Sequence, residues 1–254
     1  HCDWRLNSSL RLIMDEIFGK SNFINEIIWY FSQGGKSAQY FARKHNSILF
    51  YSKGKQPLFN QKEIRLPFTP HKQSKSGKSY GGRMGVDEEG REYVEKWGTG
   101  KKKLYRYYLD EGKLCEDVWL DTQSIQAGAK ERINYPTQKP EELIKRIIKA
   151  SSNESDLICD FFVGSGTTAA VAEKLNRKWI CCDLGKFAIH STRKRMINVQ
   201  RELKESNKNW RAFEILNLGK YQRNYYIYDG HSDNQELRQK KEWEFERLVL
   251  DAYK

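Results

Sequence analysis

The stretch of sequence that decides the fold is Asp160-Phe-Phe-Val-Gly-Ser-Gly-Thr-Thr168. Apolar residues precede it, a glycine-rich turn lies within it, and an alanine-rich run with helical spacing follows it. The pattern around it predicts a strand Asp156–Phe162, a loop Val163–Gly166, a helix Thr167–Leu175, a strand Trp179–Asp183 and a helix Phe187–Lys204. Strand, glycine loop, helix and strand in this order are typical of a βαβ unit. The sequence therefore predicts an α/β fold with a parallel sheet.

The two glycines suit a loop that approaches a ligand closely. Gly164 and Gly166 carry no Cβ, so the backbone can turn sharply there. The predicted helix begins at Thr167 and presents its free backbone N–H groups to the same place. Asp183 follows Gly164 by 19 residues (183 − 164), at the end of the next predicted strand, where a carboxylate can accept both hydroxyls of a ribose. The spacing predicts a ligand that contains adenosine.

Several adenosine ligands remain open at this point. Gly-x-Gly-x-x-Ala, from Gly164 to Ala169, is also a variant of the dinucleotide fingerprint, so NAD or FAD is an alternative, and a tight turn without function is another. No Gly-Lys-Ser/Thr follows, which excludes a Walker loop. The carboxylate of Asp160 would repel a pyrophosphate but suits the ammonium group of a methionine moiety. Asp160 therefore favours S-adenosylmethionine.

Composition narrows the class of protein. The 254 residues, 38% of them hydrophobic, suffice for one large α/β domain or one domain with an insertion. No apolar run has the length of a membrane span and no signal peptide opens the chain, so we expect a cytoplasmic protein without membrane partners. The five cysteines form no Cys-x-x-Cys pair and the histidines do not cluster with carboxylates, which predicts neither a disulfide framework nor a metal site.

Other elements follow from periodicity outside the central unit. The pattern predicts a helix that ends at Gly19, strands Phe23–Phe31 and Ser47–Tyr51 with a loop between them, and a helix that starts at Pro140. His1–Trp4 resembles the end of a strand, and order returns near Val118-Trp119. In the tail we expect a short strand Ala212–Leu216 and a charged helix Gln235–Lys254. We expect Cys181 and Cys182 on a buried strand. We expect Arg193, Lys194 and Arg195 on a solvated helix face, with contact to DNA as the alternative.

A basic insert separates the two groups of predicted elements. The chain has a net charge of +12, and Lys53–Lys113 holds 15 Lys and Arg against 8 Asp and Glu, with interleaved tyrosines and tryptophan. It has no sustained helical period, so we expect a small, mostly β or irregular insert; a solvated lysine-rich loop is the alternative. Basic side chains neutralise phosphates and aromatic rings stack on bases. The predicted DNA contacts are Lys75, Lys78, Arg83, Lys101, Lys102, Lys103 and Arg106.

The glycine stretch, together with Tyr135-Pro-Thr-Gln-Lys-Pro140, resembles the β-group DNA adenine-N6/cytosine-N4 methyltransferases, above all those of type III restriction–modification systems. The resemblance covers Cys2–Lys53 and Glu116–Arg195. It implies a Rossmann-like methyltransferase sheet, permuted and mostly parallel with an antiparallel strand, plus a basic target-recognition insert. It implies S-adenosylmethionine as cofactor, bound by Asp160, Phe162, Gly164, Ser165, Gly166, Thr167, Thr168, Asp183, Thr137, Gln138 and Lys139.

The resemblance also implies that different segments of the chain have different roles. Residues 1–53 would form the end of the catalytic half, 54–115 the target-recognition insert, 116–217 the cofactor half and 218–254 an extension. The implied reaction is methyl transfer to adenine N6, or less favourably cytosine N4, in double-stranded DNA with a flipped target base. A restriction subunit or further domains of a larger chain are implied partners.

One departure from the family pattern limits these expectations. The catalytic tetrapeptide Asp/Asn/Ser-Pro-Pro-Tyr/Phe does not occur in these 254 residues, and the resemblance places it upstream of His1. We therefore expect no catalytic residue in this chain, which would bind the cofactor at best and would not methylate DNA by itself. Two alternatives stay open: a nucleic-acid-binding remnant or split subunit without activity of its own, and an NAD-dependent Rossmann enzyme.

Overall fold

The computed structural model describes residues 1–33, 36–67, 83–98 and 103–217, together with Trp243 and Arg247. The helices are α1 Asn7–Phe18, α2 Glu141–Ser151, α3 Thr167–Lys174 and α4 Lys186–Glu205. The strands are β1 Phe23–Tyr30, β2 His45–Tyr51, β3 Arg83–Val86, β4 Glu92–Trp97, β5 Leu104–Tyr108, β6 Val118–Trp119, β7 Leu157–Asp160 and β8 Lys178–Cys181. Within these ranges, no helix is both long and apolar enough to cross a membrane.

The first sheet has the order β2-β1-β6. β1 pairs antiparallel with β2 and parallel with β6, and Cys2 forms an antiparallel bridge with Ser47 of β2. Trp29 of β1 and Trp119 of β6 are buried, and they pack in one cluster with Leu143 of α2. Burial of these large side chains stabilises the sheet by the apolar area removed from water.

The second sheet, β3-β4-β5, is an antiparallel meander inside the basic insert. Among the residues described in this sheet, one side chain is buried, that of Val94 in the central strand β4. A bridge between Leu66 and Lys113 closes the base of the insert. The expectation of a mostly β or irregular insert is thus confirmed for its described residues.

The third sheet is the parallel pair β7-β8, with α3 as the crossover helix between its strands. Ala169, Ala170 and Ala172 of α3 are completely buried, since their small side chains let α3 pack closely on its neighbours. α3 lies between α2 and α4, and Met196 of α4 belongs to the same core. This unit confirms the predicted order of strand, glycine loop, helix and strand, with each strand shorter than expected.

Helix α2 shows how the sequence sets a boundary. Pro140 occupies the N-cap position with φ of −60°, so its missing N–H leaves no helical hydrogen bond unmade. Glu141 and Glu142 lie in the first turn, where negative charge suits the helix dipole. Leu143 and Ile148 of this helix are buried.

Two expectations are wrong. Ala212–Leu216 forms no strand; instead Phe213 packs against Trp179 of β8, with ring centroids 5.8 Å apart. Cys182 is exposed, because side chains alternate between the two faces of β8 and Cys182 falls on the exposed one; only Cys181 packs against the core. The expected helix Gln235–Lys254 lies outside the described residues except for Trp243 and Arg247, both helical.

Candidate functional site

The loop between β7 and α3 is shaped by its two glycines. Gly164 has φ of +53° and Gly166 has φ of +75°, both in the left-handed region that favours glycine. A Cβ on Gly166 would lie 2.8 Å from Oγ1 of Thr192 in α4. Gly166 therefore serves two needs, the backbone turn and the close approach of α4 to the loop.

Asp183 fastens the loop to the end of β8. Its Oδ2 accepts the Gly164 N–H at 2.9 Å and its Oδ1 accepts the Gly185 N–H at 2.8 Å. The Val163 N–H donates to the Cys182 carbonyl at 3.0 Å. Each carboxylate oxygen keeps a second lone pair, so Asp183 can hold the loop and accept a further hydrogen bond at once.

Asp160 lies at the carboxyl end of β7, the strand that pairs with β8. Its Oδ1 accepts the Phe162 N–H at 3.0 Å, and its side chain is half-buried. The carboxyl ends of parallel strands are where open α/β sheets bind ligands. Asp160 and Asp183 thus place two carboxylates at the ligand-binding edge of the β7-β8 pair.

The underside of the loop is a buried polar floor. Ser165 and Thr167 are 5% and 4% exposed, with their hydroxyl oxygens 2.9 Å apart. Thr167 Oγ1 donates to the Lys139 carbonyl at 3.1 Å, which joins the loop to the segment before α2. These hydroxyls face the protein interior, and the role of the two residues in holding a cofactor stays a prediction.

Arg195 completes the floor, and the expectation that it lies on a solvated face is wrong. Its side chain is only 6% exposed, and its guanidinium donates to Thr167 Oγ1 at 2.9 Å and to the Ser165 carbonyl at 3.4 Å. Arg193 and Lys194 are exposed as expected. The helical period turns Arg195 inward beside the buried Met196, because α4 presents that face to the loop.

Glu141 balances the buried charge of Arg195. It accepts hydrogen bonds from Arg195 at 2.7 Å and from Lys174 at 2.9 Å. Burial would raise the pKa of Glu141, but the hydrogen bonds from these two cations outweigh it and hold the pKa below its usual range. One carboxylate in α2 therefore connects α3 and α4 beneath the loop.

The segment before α2 forms one wall of the site. The Gln138 side chain donates to the Glu131 carbonyl at 2.6 Å and accepts the Ile133 N–H at 2.9 Å, so it braces this segment internally. Lys139 donates to the Thr137 carbonyl at 2.8 Å, and burial lowers the pKa of its ammonium group. Contact of Thr137, Gln138 and Lys139 with a cofactor stays a prediction, as it does for the half-buried Thr168.

The rim of the site carries apolar side chains, of which the sequence predicted Phe162 as a cofactor contact but not Leu184 or Phe187. Phe162 is 89% exposed, and Leu184 is fully exposed directly after Asp183. Phe187 stacks on Tyr135 with ring centroids 5.5 Å apart and an angle of 10° between the rings. The Tyr135 ring also approaches Gly164, whose Cβ position lies 3.4 Å away. The only sequence signal for the two missed residues was their position, since Leu184 directly follows Asp183 and Phe187 begins the predicted helix.

The predicted DNA contacts divide into two groups. Arg83, Lys103 and Arg106 are exposed on the β3-β4-β5 sheet, where Arg106 pairs with Glu95 at 2.9 Å. Lys75, Lys78, Lys101 and Lys102 lie outside the described residues. Among the side chains that the structure describes, no group of His, Cys, Asp and Glu could hold a metal ion.

Comparison with known proteins identifies the family. A model of the DNA methylase family that comprises the N6 and N4 methyltransferases matches residues 1–194. The chain belongs to this DNA methylase family. Membership supports the methyltransferase interpretation of the glycine loop over an NAD-dependent one.

Three bacterial methyltransferases are similar to this chain. It is 35% identical over 167 residues to the type II methyltransferase M1.MboII of Moraxella bovis, covering 64% of this chain and 58% of that protein. It is 31% identical over 176 residues to M.HpaI of Haemophilus parainfluenzae, covering 68% and 45%. It is 50% identical over 68 residues to the DNA adenine methyltransferase YhdJ of Escherichia coli, covering 27% and 23%. The chain spans about half the length of the curated relatives it matches.

Among solved structures, this chain aligns with the M1.HpyAVI–SAM complex at a TM-score of 0.45 and 18% identity, covering 77% of this chain and 71% of that one. It aligns with the cytosine-N4-specific PvuII DNA methyltransferase at a TM-score of 0.46 and 15% identity, covering 78% and 63%.

Proposed function

We propose that this chain supplies the S-adenosylmethionine site and the target-recognition insert of a DNA adenine-N6 methyltransferase. The observation that carries the proposal is the pair of carboxylates, Asp160 and Asp183, at the carboxyl ends of β7 and β8 beside the glycine loop. Asp183 suits the ribose of any adenosine ligand, but the carboxylate of Asp160 disfavours a dinucleotide pyrophosphate and favours a ligand with a cationic amino-acid end.

The residues present fit S-adenosylmethionine in three respects. Asp183 keeps free lone pairs for ribose hydroxyls while it holds the Gly164 N–H. Asp160 offers a half-buried carboxylate for an ammonium group. Leu184 and Phe162 expose apolar surface at the rim, where a flat adenine ring can pack. When bound, this cofactor supplies a methyl group on a positively charged sulfur.

The chain's own contribution is binding and positioning. The floor formed by Arg195, Glu141 and Thr167 holds the loop rigid, so that Asp183 and Asp160 stay in place when a ligand arrives. Proximity and orientation of this kind account for much of the rate of a displacement reaction. The catalytic tetrapeptide expected for this family is not in the sequence, so we assign no catalytic residue to this chain.

Double-stranded DNA is the proposed partner, with its target base flipped toward the cofactor site. Base flipping is required because the exocyclic amine cannot be reached inside a stacked duplex. We assign 1–53 to the end of the catalytic half, 54–115 to target recognition, 116–217 to cofactor binding and 218–254 to an extension. Adenine is favoured over cytosine because the short, 50% identical match is to a protein named as a DNA adenine methyltransferase.

Calorimetric titration of the chain with S-adenosylmethionine and with NAD tests the cofactor assignment. We expect S-adenosylmethionine to bind and NAD not to bind. Asp183→Ala should weaken the binding of S-adenosylmethionine roughly 10- to 150-fold, which is the value of one or two hydrogen bonds to a charged group. The matched control is Glu205→Ala, which removes an exposed carboxylate at the end of α4. Tighter binding of NAD than of S-adenosylmethionine would refute the proposal.

The target base needs a separate measurement. The gene sequence on the 5′ side of the His1 codon should encode Asp-Pro-Pro-Tyr or Asp-Pro-Pro-Phe if adenine is the target, and Ser-Pro-Pro-Tyr there would favour cytosine. Mass spectrometry of DNA nucleosides after incubation of the chain together with a polypeptide that carries that tetrapeptide should detect N6-methyladenine. Detection of N4-methylcytosine alone would contradict the adenine assignment and leave the cofactor assignment intact.

A further inference from the structure

The two ends of the β3-β4-β5 sheet carry opposite charge. We call the end of the sheet at which β4 connects to β5 the tip. At this end the strand pairing aligns Arg83 with Glu95 and Arg106, and it aligns Trp97 with Leu104. Its described charged residues are four basic and one acidic: Arg83, Lys96, Lys103, Arg106 and Glu95. Among the described residues, the opposite end, the base, carries three basic and six acidic residues: Arg65, Arg91, Lys113, Asp87, Glu88, Glu89, Glu92, Asp110 and Glu111.

The base is the end that joins the rest of the chain. Arg91 donates to Asp110 at 2.9 Å and to Glu111 at 3.3 Å, and Arg65 donates to Glu111 at 2.8 Å. The Leu66–Lys113 bridge lies at the same end. Two of the acidic side chains, Asp110 and Glu111, are thus ion-paired near the point of attachment, and the basic tip lies at the other end of the sheet.

The tip also exposes apolar surface. Trp97 is 63% exposed and its cross-strand partner Leu104 is 41% exposed, on the same face of the sheet. Gly98 donates its N–H to the Lys103 carbonyl at 2.7 Å, and its Cβ position lies only 2.7 Å from the Tyr105 ring. This close packing holds the backbone beside Trp97 in place, so the indole is presented from a firm support.

We propose that the tip is the edge of the insert that enters duplex DNA, with Trp97 contacting the bases and Lys103 and Arg106 contacting phosphates. This inference rests on the proposed function and assigns it to one end of one sheet. A large apolar side chain flanked by cations suits a duplex, because apolar wedges insert between base steps while Lys and Arg neutralise the backbone. The acidic base would be repelled by the same phosphates, which fixes the orientation of the sheet.

Site-directed photocrosslinking tests the orientation without knowledge of the target sequence. The photoreactive residue p-benzoylphenylalanine replaces Trp97 at the tip or Val86 near the base, positions that are 63% and 61% exposed. Each full chain is irradiated with a labelled mixed-sequence DNA duplex. We expect a crosslink from position 97 several-fold stronger than that from position 86. Equal crosslinking, crosslinking from position 86 alone, or no DNA binding by the unmodified chain would overturn the proposal.

Equilibrium binding with point variants tests the two roles. Trp97→Ala should weaken duplex binding roughly 5- to 150-fold, the value of one stacked aromatic contact, and Trp97→Phe should recover part of it. Trp210→Ala, which removes a 44% exposed indole outside the sheet, should leave binding unchanged. Lys103→Gln should lower the salt dependence of binding by about one counterion, whereas Glu88→Gln should not.

The outcomes separate this inference from the function on which it rests. If the chain binds S-adenosylmethionine but Trp97→Ala binds duplex DNA as the native chain does, the tip assignment is wrong and the cofactor assignment stands. If the tip crosslinks to DNA but no S-adenosylmethionine binds, the methyltransferase proposal fails and the contact surface stands. Equal binding of the tip to duplex RNA or to single-stranded DNA would overturn the assignment of duplex DNA as its partner.

Discussion

Removal of the Arg195 guanidinium should destabilise the cofactor half of the chain, because Arg195 joins α4 to the loop and to α2. Arg195→Met keeps an unbranched apolar side chain in place of the 6% exposed arginine but leaves the Thr167 hydroxyl and the Ser165 carbonyl without this donor. Breaking a buried ion pair by removing one partner costs about 3–5 kcal/mol. Glu141 keeps its contact with Lys174, so we expect the lower end, about 3 kcal/mol.

Thermal unfolding followed by circular dichroism measures this loss. For a chain of this size, about 3 kcal/mol corresponds to a fall in Tm of about 6–12 °C. Arg193→Met is the matched control, since Arg193 is exposed two residues earlier on the same helix, and it should leave Tm unchanged. Arg195→Lys should give an intermediate Tm, because a single ammonium cannot reach all three partners of the planar guanidinium.

A double-mutant cycle isolates the interaction itself. Glu141→Gln, Arg195→Met and the double variant should show a coupling free energy of about 1–3 kcal/mol, since the two side chains are 2.7 Å apart. If Arg195→Met retains the native Tm, or if the two substitutions are additive within about 0.5 kcal/mol, the buried floor does not stabilise the loop and this reasoning is refuted.

Three further predictions follow from the same region. Gly166→Ala should lower Tm and weaken cofactor binding because of the positive φ and the Thr192 contact, whereas Gly54→Ala, in open space, should leave both unchanged in the same two assays. Because the pKa of Glu141 is held below its ordinary value, the contribution of Glu141 to stability is present above about pH 4.5 and is lost as pH falls through the lowered pKa. Between pH 6 and pH 3, the Tm of Glu141→Gln should therefore fall less steeply than that of the native chain. Parallel curves for the two proteins would contradict this. Burial raises the pKa of Cys181 to about 12, so a thiol reagent at pH 8 should react quickly with the exposed Cys159 and not with Cys181. The fast phase of thiol modification should lose one equivalent in Cys159→Ala and none in Cys181→Ala.

The βαβ unit was predictable from the sequence because its signals are local. The glycine loop, the helix after it and the strand that ends before Asp183 follow from spacing within about thirty residues, a range typical of such units. The insert was predictable only as a β or irregular segment. Its strand register depends on pairings such as that of Trp97 with Leu104, which apolar periodicity does not specify.

Arg195 shows why part of the site could not be predicted. Three consecutive basic residues in a helix suggest a solvated face, and only the packing of α4 against the loop shows that the third points inward. Tyr135 and Phe187 are 52 residues apart (187 − 135) and meet only through the fold. Composition does not reveal such contacts, because they depend on how three elements are brought together.

The buried floor has a consequence for protein engineering. Gly166, Ser165 and Thr167 are matched to Thr192 and Arg195 of α4, and to the Lys139 backbone, rather than to the solvent-facing side of the loop. A graft of the nine-residue stretch from Asp160 to Thr168 into another scaffold would carry the visible motif without its support. The transplantable unit is three-dimensional: the loop, the inward face of α4 and the start of α2 together.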